Sequence, residues 1–170
     1  ATYEMYMNIT QAPGGDPGFN HPDHFMVIPT AGDDIFIRTG TTRGNLRLDI
    51  STDGGSTFTN GSTHSVGTWF HMAIVANGSQ IKGYINGNEK VSVSSSATPS
   101  GTVEIGDLGS GGGGEWYLDE FRISDQVEYT GSFLPPGEHV VTGNTKVLIN
   151  GLKVTVTSQW YQKCRLWMLW

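Results

Sequence analysis

GTWFHMAIVANGSQIKGYINGNEKV, residues 67–91, decides the fold. Two Asn-Gly pairs, Asn77-Gly78 and Asn86-Gly87, punctuate it. Both residues of such a pair tolerate positive φ, which a type I′ hairpin turn requires. Between the pairs, Ile81, Gly83 and Ile85 alternate with Lys82 and Tyr84, the period of a strand. Trp69–Ser94 is therefore expected to form a three-stranded meander turning at the two pairs. Trp69 opens a segment that is apolar on both faces, so it is expected in the core.

The same alternation runs outward in both directions. Leu46, Leu48 and Ile50 share one face, and Asn45, Arg47 and Asp49 the other. Val91 and Val93, then Val103 and Ile105, repeat the pattern, as do Leu152, Val154 and Val156. These segments read as half-buried strands. Asn60-Gly61 and Asn150-Gly151 add turn signals, and residues 147–149 and 152–156 read as a further hairpin. No segment of helical period is long enough to count; a short turn after Ile123 is the best candidate. Gln11–His24 is rich in Pro, Gly and Asp and reads as a long loop. GSGGGG (109–114) reads as a linker; it lacks the Lys-Ser/Thr of a phosphate-binding loop. The sum is an all-β chain of antiparallel strands, a two-sheet sandwich or a barrel.

Composition bounds the function. The chain has 170 residues, a single cysteine (Cys164) and 24 glycines, and a net charge of −6. That length suits one domain, read here as residues 1–158 with an aromatic-rich tail at 159–170. One cysteine excludes an internal disulfide. The acidic balance argues against a nucleic-acid partner, which favours a basic stripe. No apolar run approaches the roughly 20 residues of a spanning helix, so membrane insertion is not expected. ATYEMYMNIT has neither a basic nor an apolar leader region, so no signal peptide is read there.

Three segments in order resemble laminin G-like domains. Residues 67–91 are similar to their W-x-H-x-A strand followed by a Tyr-x-Asn-Gly hairpin. GTVEIGD (101–107) resembles the next strand, and GEWYLDEFRISDQVEYTGSFLPP (114–136) their closing strand. The Tyr-Thr-x-x-Phe-x-Pro-Pro ending looks most like phage and marine-virus tail or virion variants. The resemblance implies a concanavalin A-like jelly roll, whose members are mostly binding and adhesion modules and in some cases glycosidases. Two regions depart from it: no Phe-Asp-Gly-like opening precedes Tyr3–Ile9, and WYQKCRLWMLW (160–170) matches nothing in the family.

Glycosidases on this fold carry Glu-x-Asp-x-Glu, which period two places on one face, with two acids about 5–5.5 Å apart. Here Glu115, Asp119 and Glu120 break that spacing. On a regular strand Asp119, Phe121 and Ile123 share a face with Tyr117, and Glu120 and Arg122 share the opposite face. Glu115 and Asp119 lie about 13 Å apart along such a strand. The acids are therefore read as structural, Asp119 accepting hydrogen bonds and Glu120 pairing with Arg122 or another cation.

Other motifs have plain readings too. STDGGSTF (51–58) fits the Asp-box pattern, a turn in which Asp53 bonds backbone amides and Gly55 supplies an unusual φ. His71 is read as packed and hydrogen-bonded. His21 and His24 sit in a loop, His64, His71 and His139 are scattered along the chain, and zinc, which wants four ligands, is not expected. Calcium fits better: Asp16, Asp23, Asp33 and Asp34 lie in loop or turn sequence, and relatives often bind calcium at loop ends. Trp116 and Tyr117 are the candidate sugar-stacking platform, against a reading in which they pack in the core or at an edge.

These readings converge on a non-catalytic binding, adhesion or virion module that contacts glycan or a protein surface and is extracellular or virion-associated. One alternative is a glycoside hydrolase or lyase with acids from separate strands, such as Asp49, Glu104 and Asp119. Another is a structural domain forming homo-oligomers through Trp160–Trp170.

Overall fold

The structure, a computed structural model, describes residues 1–11, 23–42, 45–65, 68–105, 115–149, 154–156 and 164–165. All regular structure among these residues is β-strand. The first half contributes β1 (Thr2–Gln11), β2 (Asp23–Ile28), β3 (Ile35–Thr42), β4 (Asn45–Ser51) and β5 (Thr59–Ser65). The meander follows as β6 (Phe70–Ala76), β7 (Gln80–Ile85) and β8 (Asn88–Ser94). Then come β9 (Glu104–Ile105), β10 (Glu115–Ser124), β11 (Thr145–Ile149), β12 (Val154–Val156) and β13 (Cys164–Arg165).

Two antiparallel sheets result. The first has the order β11-β10-β1-β6-β7-β8, with β12 also on β10; the second runs β13-β9-β2-β3-β4-β5. Alternation then sorts the side chains. Tyr3, Met5 and Met7 of β1 and Phe70, Met72 and Ile74 of β6 face inward, against Met26, Ile28, Ile35, Ile37, Leu48 and Ile50 of the second sheet. Burial of one such side chain stabilises by about 1.5–3 kcal/mol, so this layer dominates the fold. The expected sandwich and meander are both present, with turns at Asn77-Gly78 and Asn86-Gly87.

The outward face of the first sheet is not open. After β10 the chain crosses it as a strap, residues 125–141, with no helix at its start. Pro135 and Pro136 have no N–H to offer a neighbouring strand, which suits a segment that crosses a sheet instead of extending it. Thr2 Oγ1 donates to Gln126 O at 2.8 Å, Phe133 N to Gly87 O at 3.0 Å, and His139 N to Glu120 Oε2 at 2.9 Å. Tyr129 and Phe133 stack on each other and pack on Ala73, Val75 and Tyr84. Every residue of β6 is consequently buried.

Three expectations are corrected. Residues 147–156 are no hairpin: β11 pairs with Phe121–Ser124 and β12 with Trp116–Leu118, end to end along β10. Trp69 is 44% exposed; it precedes β6, and Phe70 takes the inward place. The third concerns β10, which carries a bulge. Glu4 opposes Arg122 and Tyr6 opposes Asp119, so Met5 alone faces both Glu120 and Phe121. Glu120 sits at φ 53°, the left-handed region. The extra residue switches the alternation: Phe121 and Ile123 join the core, while Asp119 lies across from outward-facing Tyr6. The same break falls between the stretches paired by β11 and β12, so no single regular strand follows that edge.

Candidate functional site

Two clusters of charge occupy the two outward faces. Under the strap, β1 supplies Glu4, β6 His71, β10 Arg122, and the strap itself Tyr129 and His139. Glu4 is fully buried, with His71 Nε2 3.0 Å from its Oε2. Tyr129 donates its hydroxyl to the same oxygen at 2.7 Å. Arg122 Nε donates to Oε1 at 2.7 Å, and its Nη2 makes a second short contact there. Burial pushes the Glu4 carboxyl up, but the hydrogen bonds from His71, Tyr129 and Arg122 outweigh it and bring it down to about 2. His139 Nε2 lies 3.8 Å from Glu4 Oε2, and burial lowers the basicity of that imidazole. A carboxylate so held is a poor proton carrier. Pairing of Arg122 with Glu4 also replaces the expected pairing with Glu120, whose carboxylate holds the strap at His139 N.

The second face is built by the Asp box. Ser51 Oγ donates to Asp53 Oδ1 at 2.6 Å, and Thr57 N donates to the same oxygen at 2.9 Å. The Ser51 hydroxyl and the backbone bonds of Thr57 lower the Asp53 carboxyl to about 2. Gly55, at φ +87°, lies against Phe36; a Cβ there would sit 3.5 Å from the ring. The turn thereby delivers Phe58 beneath Arg38, whose guanidinium carbon is 3.7 Å from the ring centroid. Asp49 anchors the group: Arg38 Nε donates to Oδ2 at 3.1 Å, while Arg47 donates Nε to Oδ1 at 2.7 Å and Nη2 to Oδ2 at 2.8 Å. Gly61 N adds a fourth contact at 3.2 Å. Asp49 has no exposed side-chain surface, whereas Arg38 and Arg47 keep 18% and 30% of theirs.

The residues singled out from sequence are dispersed. Tyr117 is half-buried on β10, across from Asn8 and Thr155. Trp116 is its neighbour in that strand, paired with Ile9 and Val156; its side chain lies outside the described residues. Asp16 lies wholly outside them. Asp23 starts β2, opposite Thr39. Asp34 accepts the Thr30 N–H at 3.1 Å, and the exposed Asp33 is near the Asp box, 4.0 Å from where a Cβ on Gly54 would stand. Asp49 and Glu104 belong to the second sheet and Asp119 to the first, so these three acids share no face. Of the tail, Cys164–Arg165 pairs with β9; the other residues of Trp160–Trp170 lie outside the described ones.

Sequence reasoning missed the Glu4 cluster because its members are up to 135 residues apart in the chain, from Glu4 to His139. The one available signal was three polar residues, Glu4, His71 and Arg122, each flanked by apolar ones in a strand pattern. No helix of the described residues is long and apolar enough to cross a membrane. A search of curated proteins finds no match to the chain. The laminin G-like family profile described as concanavalin A-like lectin/glucanases superfamily matches residues 1–128. With that match and this two-sheet antiparallel sandwich, the chain belongs to the concanavalin A-like lectin/glucanases superfamily.

Proposed function

We propose that the chain is a non-catalytic binding module whose ligand, a glycan or a protein surface, meets the outward face of the second sheet. The observation that carries this reading is the Arg38 guanidinium laid over Phe58 and fixed by buried Asp49. A guanidinium backed by the Phe58 ring and fixed by Asp49 suits a glycan: it holds its planar donors in place for hydroxyl or carboxylate oxygens. Arg38 and Arg47 against Asp49 and Asp53 leave the cluster neutral, so the orientation of the guanidinium donors is what selects the ligand. Asp49 is held by Arg38, Arg47 and Gly61, and Asp119 lies on the other sheet, which supports a non-catalytic role, since glycoside hydrolysis needs two available carboxyl groups in one groove.

The Tyr129–Pro136 segment, with its likeness to virion proteins, supports an extracellular or virion-associated setting. A glycan array that includes acidic sugars, run with and without calcium, tests the reading. Binding that is lost in Arg38→Ala supports it. An array without hits for the intact chain removes the glycan version, and binding unchanged in both Arg38→Ala and Phe58→Ala places the ligand elsewhere.

A further inference from the structure

We infer that Glu4, His71 and His139 form a binding site for a divalent transition metal of the zinc type, which pins the strap to the first sheet. The ligand atoms are two imidazole nitrogens and one carboxylate oxygen, a donor set zinc accepts. Bonds of about 2.0–2.1 Å to a tetrahedral ion put ligand atoms about 3.3–3.4 Å apart. Here Glu4 Oε2 is 3.0 Å from His71 Nε2 and 3.8 Å from His139 Nε2, and all three atoms lie within 4.8 Å of one another. Small side-chain shifts reach the required geometry. The Tyr129 hydroxyl, 2.7 Å from the same oxygen, keeps its proton and orients the carboxylate, and the fourth position is left to water.

A second observation points to a ligand independently. His139 is 2% exposed, and neither ring nitrogen has a hydrogen-bond partner among the protein groups. Leaving such atoms buried and unsatisfied costs roughly 1–3 kcal/mol each. Charge agrees. The cluster draws Glu4, Glu120 and Glu128 around one cation, Arg122. With neutral histidines those four groups carry two net negative charges, which a divalent ion cancels. Arg122 stays on Oε1 while the metal takes Oε2, so the carboxylate bridges the two cations. On binding, neutral His71 shifts its proton from Nε2 to Nδ1, which frees the Nε2 lone pair for the metal with no net proton release.

The test uses the full chain, stripped with chelator and titrated separately with ZnCl2 and CoCl2. Expected are one-to-one zinc binding, the visible d–d bands of tetrahedral Co2+ and a raised melting temperature. Affinity should fall at least tenfold in His139→Ala, a strap residue whose loss leaves the inter-sheet core intact, and in Glu4→Gln. Phe133→Ala, which loosens the strap without removing a donor, should keep the cobalt bands. No saturable site in the intact chain overturns the proposal, as does binding that survives His139→Ala unchanged. Octahedral, weakly coloured cobalt also overturns it, because it marks adventitious metal.

Discussion

Glu4 and Asp49 are both fully buried, both bound by arginine, and both on the outward face of their sheet. They differ in what lies above them. Glu4 is roofed by the strap, and its partner Arg122 keeps only 8% of its side-chain surface. Among the described residues no such strap covers Asp49, and its partners remain 18% and 30% exposed. Water reaches the guanidinium groups in one case and barely in the other. A sealed network holds a layer in place; an open one presents donors to a ligand. Removing each anchor separates the two roles. Glu4→Ala strands Arg122 in a poorly hydrated site and should cost about 3–5 kcal/mol. Asp49→Ala frees two arginines into solvent and should cost about 1–2 kcal/mol. Urea denaturation of the two variants measures this, and equal losses would break the distinction.

The two Asn-Gly turns of the meander sharpen the same contrast. Gly87 and Gly78 both sit at positive φ, +73° and +88°. A Cβ on Gly78 meets nothing within 4 Å, so Gly78→Ala should cost only the left-handed strain of about 1–2 kcal/mol. A Cβ on Gly87 would fall 1.7 Å from Phe133 O. Gly87→Ala must therefore also displace the strap and lose the Phe133 N–H bond, about 1–2 kcal/mol more. Thermal melting gives the totals, and limited proteolysis at 125–141 shows the strap's release in Gly87→Ala alone.

Acid should loosen the roofed face before the open one. Burial lowers the His139 pKa below its ordinary 6.5, so the unfolded chain binds the proton more tightly. The stabilisation is complete above pH 6.5 and is lost as pH falls below it. Glu4 follows: held near 2 against an ordinary 4.5, it contributes fully above 4.5 and loses that contribution as pH falls toward 2. His139→Ala should shrink the first step, to which half-buried His64 also contributes, and change the second less. A stability profile flat from pH 7 to 5 in the intact chain would contradict this.

The legible and illegible parts of the sequence follow from range. The meander, the Asp box and the sandwich class depend on residues a few positions apart, where Asn-Gly turns and period-two alternation act directly. The bulge was hidden because its left-handed residue is Glu120; a glycine or asparagine there is the usual cue. One undetected residue put Asp119 on the opposite side from Phe121 and Ile123, with which it was expected to share a face. The two outward faces depend on contacts across strands and across the strap, which no local pattern encodes. The Asp box was recognised as a turn, yet its consequence, Phe58 placed under Arg38, needed β3 beside it.

The smallest expected stability effect tests the open face most directly. Arg38→Ala removes one guanidinium from Asp49 and the stacking on Phe58, but Arg47 and Gly61 still hold the carboxylate. Two donors stay on the carboxylate and Arg38 is itself partly exposed, so the cost should stay near about 1 kcal/mol. Arg38→Lys should be equally mild for stability yet equally damaging for ligand binding, because an ammonium lacks the planar donors. A near-silent denaturation curve with lost binding identifies Arg38 as a ligand contact. A loss matching that of Glu4→Ala would instead make the second network as structural as the first, and the openness of its arginines would then have no functional meaning.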